Sequence, residues 1–116
     1  NLMAAGLLLN RRAIESSGVY LSSYDSLVVG YSSSECTVYL PNDAIIGRII
    51  FFKQWWTGSM KVFARGGQTI YDDSTANSYF RVPEGKLAIA IFTIGYVGGV
   101  KKEAWLINTV QDLINN

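Results

Sequence analysis

Hydrophobic and polar residues alternate along much of this chain with the period of strands. Thr37-Val38-Tyr39-Leu40 places Val38 and Leu40 on one face, and Ser78 to Val82 sets Phe80 and Val82 opposite Tyr79 and Arg81. A period of two is what a half-buried strand requires. Gly18 to Leu21, Leu27 to Tyr31 and Gln68 to Tyr71 are further β-rich runs. Two runs depart from simple alternation. From Ile45 to Phe52 nearly every residue is apolar, so Ile49 and Phe51 lie on one side, Ile50 and Phe52 on the other, and both sides call for cover. In a chain this short the second cover is expected from another subunit. Lys86 to Val97 predicts the longest strand, with Leu87, Ile89, Ile91 and Thr93 on one face and Ala88, Ala90, Phe92 and Ile94 on the other. The paired alanines predict a neighbour packed very close.

Turn residues separate these runs: Ser22 to Asp25, Ser32 to Glu35, Pro41 to Asp43, Gly66-Gly67 and Pro83 to Gly85. Thr57 to Ser59 reads as a hairpin tip joining the apolar run to a strand over Met60 to Arg65, and Asp72 to Asn77 as a polar loop. Gly98-Gly99 suits a two-residue primed hairpin. A turn there sets Phe92 opposite Trp105 as the chain returns through Val100 to Ile107. Gly6 to Leu9 reads as a first strand or the end of a stalk, continued by Arg11 to Ser16. At the other end Val110, Leu113 and Ile114 fit one helical turn or a last extended arm. No stretch sustains a helical period. Short strands spaced about 8–12 residues apart predict an all-β domain, an antiparallel β-sandwich or jelly-roll-like fold. Residues 1–17 read as an N-terminal strand or stalk junction and residues 18–116 as the sandwich.

Length and composition narrow the picture. The 116 residues support one core. Hydrophobic residues make up 49% and charged ones 16%, little charge for a monomer that keeps its whole surface wet. The net charge of +1 is mixed along the chain and creates no field that draws nucleic acid. Arg11-Arg12 and Lys101-Lys102 are isolated pairs, too small to track phosphates. The apolar start, Asn1 to Asn10, precedes its basic pair, the reverse of a signal peptide. Because the chain begins with Asn, a longer parent polypeptide is expected. Leu87 to Val100 is shorter than the ~20 residues that span a bilayer, so no membrane insertion is expected. Cys36 is alone and is expected to be a reduced, at least partly buried core thiol.

Little in the sequence carries catalytic chemistry. There is no histidine, the commonest general base and metal ligand. Asp72-Asp73 sits in ordinary loop composition and does not read as a glycosidase pair. Asp43, Asp72 and Asp73 lack a recognisable ligand spacing. The glycine pairs precede no helix start and form no phosphate loop. No enzyme activity, metal or cofactor is expected. What remains is Trp55-Trp56. In extended backbone the two indoles point apart, so at most one joins the core and the other is displayed; the competing reading packs both within the domain or against a neighbouring subunit. Displayed tryptophan beside a cation suits a sugar face or a protein interface. The candidate ligand-binding set is Trp55, Trp56 and Lys53, together with Tyr71, Asp72, Asp73, Asn77 and Tyr79. Both groups flank Met60 to Arg65 and are expected at related ends of one sheet.

The order of motifs resembles a known family. A strand ending in Leu40-Pro41, then Gly47-Arg48 leading Ile49-Ile50-Phe51-Phe52-Lys53, then Gly66-Gly67-Gln68-Thr69-Ile70-Tyr71-Asp72, with Trp105 in a late hairpin, is similar to the C-terminal domains of phage tail fibres and related adhesins. The resemblance runs from Thr37 to Ile107. Trp55-Trp56 departs from the small polar hairpin usual there, and Gly98-Gly99 from a Ser-Asp-Gly type of turn. The resemblance implies a homotrimer at the tip of a fibre on the virion, outside the cell, binding a bacterial surface glycan or protein without catalysis. Two other readings compete: a structural domain that trimerises and binds nothing, and a monomeric carbohydrate-binding module of a larger enzyme.

Overall fold

The structure is a computed structural model that describes residues 8–110. The chain forms strands β1 (Arg11–Ile14), β2 (Val19–Tyr20), β3 (Leu27–Gly30), β4 (Glu35–Tyr39), β5 (Ile49–Gln54), β6 (Ser59–Phe63), β7 (Thr69–Asp72), β8 (Thr75–Asn77), β9 (Tyr79–Val82), β10 (Leu87–Val97) and β11 (Val100–Thr109). They build an all-β fold of two sheets: a seven-stranded sheet in the order β1-β3-β5-β10-β11-β7-β8 and a four-stranded sheet in the order β2-β4-β6-β9.

The strand directions differ from the antiparallel expectation. Through β6 the chain visits the two sheets in turn, odd strands in the larger and even strands in the smaller. Neighbours within a sheet are then two elements apart and run the same way: β1, β3 and β5 pair in parallel, as do β2, β4 and β6. The Ser, Pro and Gly segments that read as hairpin turns are corners that carry the chain from one sheet to the other. Turn composition is the same in either case, and periodicity does not say which sheet a strand joins. The segment between β5 and β6 is one such corner, so Thr57 to Ser59 is not a hairpin tip. Antiparallel pairing enters where β9 and β10 fold back on β6 and β5, and in the hairpins β7–β8 and β10–β11.

The β10–β11 hairpin lies between β5 and β7 and closes the larger sheet. Its turn is the expected one: Gly98 and Gly99 both have positive φ, 58° and 81°, and Phe92 pairs with Trp105. Ala88 and Ala90 face the core fully buried, next to Phe52 and Ile50 of β5. The core between the sheets draws Val28, Ile50, Phe52, Phe92, Trp105 and Ile107 from one side and Val38, Met60, Val62, Phe80 and Val82 from the other. Trp105 keeps its one polar atom satisfied by donating Nε1–H to Gln68 Oε1 at 3.0 Å. Cys36 is buried and free.

The doubly apolar strand is shorter than its sequence implied. It begins at Ile49, because Gly47 has φ 91° and Arg48 N–H donates back to Ile45 O, making a turn. Ile45 and Ile46 are therefore exposed. Of the strand itself, Ile50 and Phe52 are buried while Ile49 and Phe51 remain on the open outer face of the larger sheet. Residues 11–14, inside the segment expected as a junction, form that sheet's edge strand. Leu8 to Asn10 are not in a strand. The rest of the Gly6–Leu9 run and the tail bearing Leu113 and Ile114 fall outside the described residues.

Candidate functional site

The corner after β5 displays both tryptophans: Trp55 is 61% and Trp56 56% exposed. Neither enters the core. The strand ends at Gln54, and the chain leaves the sheet there to cross to the other one. The amide N–H groups of Trp55 and Trp56 both donate to Gly30 O, at 3.0 and 3.3 Å, and Gly58 N–H donates to Ser32 O at 3.0 Å. The side chain of Gln54 is buried beneath the corner, and its Nε2 donates to Ser32 O and Trp56 O at 3.2 and 3.3 Å. Close backbone approach demands glycine at two places. A Cβ at Gly58 would run into the Ser34 carbonyl, and one at Gly30 into the Gln54 side-chain amide. Tyr31 packs its ring 5.3 Å from that of Trp55. Lys53 donates Nζ–H to Gly85 O at 2.8 Å, which ties it to the neighbouring turn. Two large apolar surfaces are thus held on a corner whose backbone is fixed by hydrogen bonds.

The other expected site residues lie elsewhere. Tyr71, Asp72 and Asn77 are in the β7–β8 hairpin at the far edge of the larger sheet, and the segment expected as a polar loop is this hairpin. Asp73 turns it with φ 56° and accepts a hydrogen bond from Asn108 Nδ2 at 2.9 Å. Asn77 Nδ2 donates to Thr75 O within the hairpin. Strands β10 and β11 lie between this hairpin and β5, a lateral separation of about 14 Å at ordinary strand spacing. Tyr79 is in β9 of the other sheet. The expectation that these residues gather at related ends of one sheet therefore fails, because the chain changes sheets between Asn77 and Tyr79. The residues fall into three groups: the corner, the hairpin edge, and the outer face of the four-stranded sheet.

Around the hairpin edge a shallow cleft of about 220 Å³ is lined by Tyr71, Asp73, Thr93, Gly95, Tyr96 and Lys102, among others. Sequence reasoning missed Tyr96 and Lys102 there, since only the parallel pairing of β11 with β7 brings the β10–β11 hairpin beside Tyr71. It also missed Tyr31 at the corner and the aromatic neighbours of Tyr79. Tyr39 and Phe63 were legible as outward positions of alternating strands, but their proximity depends on strand order. Glu35 is held below the usual carboxylate range, first by the hydrogen bond from Ser59 and, against some desolvation, by Arg81 and then Lys61. Among the described residues, no group of three or more His, Cys, Asp or Glu side chains is placed to hold a metal ion.

No protein-family model matches the chain, and no curated protein sequence is significantly similar to it.

Proposed function

We propose that this chain is a non-catalytic recognition domain, the receptor-binding tip of a phage or prophage tail fibre, which assembles as a homotrimer and binds a glycan or protein on the bacterial surface. The observation that carries this reading is the display of Trp55 and Trp56 on a corner fixed by Gln54 and by the Gly30 and Ser32 carbonyls. Large aromatic area presented with little conformational freedom left to lose is the composition of a binding hot spot. The resemblance from Thr37 to Ile107 to tail-fibre C-terminal domains supports the placement on a virion.

The outer face of the larger sheet supports self-association. Register aligns Ile49, Ile91, Leu106 and Tyr71 in one row across four strands, and Leu27, Phe51 and Ile89 in the next. Ile49, Ile91 and Leu106 are each about two-fifths exposed. Charge enters this face at its margins, as Arg11, Lys53, Lys102 and Asp73. Apolar surface of this kind gains roughly 25 cal/mol per Å² when covered, and contiguous patches of it mark interaction sites.

The test combines light scattering with binding of labelled protein to a panel of bacterial strains. The reading expects a species of trimer mass that adheres to a subset of strains. A monomer at micromolar concentration, or a trimer that adheres to none beyond a scrambled-surface control, rejects it; the second result favours a purely structural fibre domain.

A further inference from the structure

The outer face of the four-stranded sheet carries an aromatic side chain from each of its strands, all in one row. Register sets Tyr20 beside Tyr39, Tyr39 beside Phe63 and Phe63 beside Tyr79. Their ring centroids are 4.5, 5.7 and 5.5 Å apart, with interplanar angles of 17°, 31° and 42°. The Tyr20 and Tyr39 rings are stacked, and the other two pairs are tilted. Cations flank the row: the Arg65 guanidinium is 5.0 Å from the Tyr20 centroid, and the Lys61 ammonium is 4.5 Å from that of Tyr79. In the next row along the strands Lys61 is paired with Arg81. The acid beside them, Glu35, is already engaged by Arg81 Nε at 2.9 Å and by Ser59 Oγ at 3.0 Å.

We propose that this face binds a linear acidic polysaccharide, with its carboxylates over Lys61 and Arg81 and its sugar residues along the row Tyr20–Tyr39–Phe63–Tyr79. The Lys61, Arg65 and Arg81 cations and the tyrosine hydroxyls favour negative charge, and the Glu35 carboxylate among them is held by Arg81 and Ser59. Rows on one strand face lie about 7 Å apart, the scale of one sugar residue with its acidic substituent. A neutral glycan stacks on free ring faces, and here Tyr20 and Tyr39 stack on each other while Arg65 lies over Tyr20 and Lys61 over Phe63 and Tyr79. Stacked nucleobases need free faces for the same reason. A second copy of the chain on this face would set Lys61, Arg65 and Arg81 near their own counterparts, and juxtaposed like charges cost several kcal/mol. Self-association is better served by the uncharged rows of the other sheet. The inference rests on the reading of the chain as a recognition domain, but it uses a surface on the opposite sheet from the outer face proposed for trimerisation and does not involve the tryptophan corner.

The test is calorimetric titration of the full chain with polygalacturonate at low and high salt, with dextran and an oligothymidylate as comparison ligands. Saturable binding of polygalacturonate that weakens with salt is expected, with none to dextran. Lys61→Gln is expected to weaken binding about fivefold or more, Lys61→Arg to retain it, and Tyr79→Leu to weaken it, each variant keeping the parent melting temperature. Trp55→Ala is expected to bind polygalacturonate as the parent does, so loss of cell adhesion in that variant reports on the corner and not on this face. Absence of polygalacturonate binding, equal binding of dextran, tighter binding of the oligothymidylate, or an unchanged affinity in Lys61→Gln would each overturn the proposal. If Lys61→Gln melts early, Tyr79→Leu and Lys61→Arg decide it: affinity unchanged in the first or lost in a folded second overturns it.

Discussion

The buried side-chain amide of Gln54 donates to the carbonyl oxygen of Trp56, two residues further along and on the solvent side of the same corner. One polar group beneath the surface thus helps fix the backbone that displays two tryptophans above it. Gln54→Leu keeps the approximate volume and removes the donor, leaving the Trp56 carbonyl without it, while the Ser32 carbonyl keeps the Gly58 N–H. A buried group deprived of its partner costs about 1–3 kcal/mol. The expected result is a lower melting temperature together with faster amide exchange over residues 55–59. A Gln54→Leu variant as stable as the parent, with unchanged exchange there, shows that the amide does not organise the corner.

Trp55→Ala and Trp56→Ala behave differently from a core truncation. Both side chains are more than half exposed, and surface substitutions usually change stability by about 0.5 kcal/mol or less. Each variant is expected to keep its melting temperature and mass while at least one loses cell binding worth on the order of 2 kcal/mol. Adhesion at parental strength in both folded variants removes the corner from the site.

Ile91 sits between Ile49 and Leu106 in the middle row of the larger sheet's outer face. A lysine there keeps its ammonium in water in a lone chain but must bury it, unpaired, beneath a neighbouring subunit. Ile91→Lys is expected to give a folded monomer by light scattering, with a β-type circular dichroism spectrum. A trimer of undiminished stability places the subunit contact on another face.

Glu35 gives the fold a distinct acid response. Its carboxyl titrates below the ordinary glutamate range because Ser59 hydrogen-bonds the charged form and Arg81 and Lys61 attract it. A folded-state value below the unfolded one means that the contribution is fully present above the unfolded pKa, about 4.3. It is lost as pH falls from there through the folded value. Melting temperatures measured across that window are expected to fall less steeply for Glu35→Gln than for the parent. The group is solvent-exposed, so the difference is expected to be small. Parallel curves show that the pair with Arg81 adds nothing to stability.

Several features were legible from local chemistry. The all-β class, the β10–β11 hairpin, the Phe92–Trp105 pair and the inward set Phe80 and Val82 follow from a period of two and from glycines that accept positive φ. Those signals act between near neighbours in the chain, where a turn determines register by itself. Burial of Cys36 also followed from its place at the head of an alternating run. Ala88 and Ala90 lie fully buried on the core face of β10, the side the alternation assigned to them.

Tertiary structure decided the rest. Parallel pairing of β3 with β5 or of β4 with β6 joins residues more than twenty positions apart, and no local pattern encodes which sheet a strand enters after a corner. That choice separated Asn77 from Tyr79, moved the tryptophans from a hairpin tip to an inter-sheet corner, and brought Tyr20, Tyr39, Phe63 and Tyr79 into one row. The alternation sets Tyr39 and Tyr79 outward, each on its own strand, and says nothing of their meeting Tyr20 and Phe63. Only the order β2-β4-β6-β9 makes them a surface, because side chains on neighbouring strands meet through register and not through sequence.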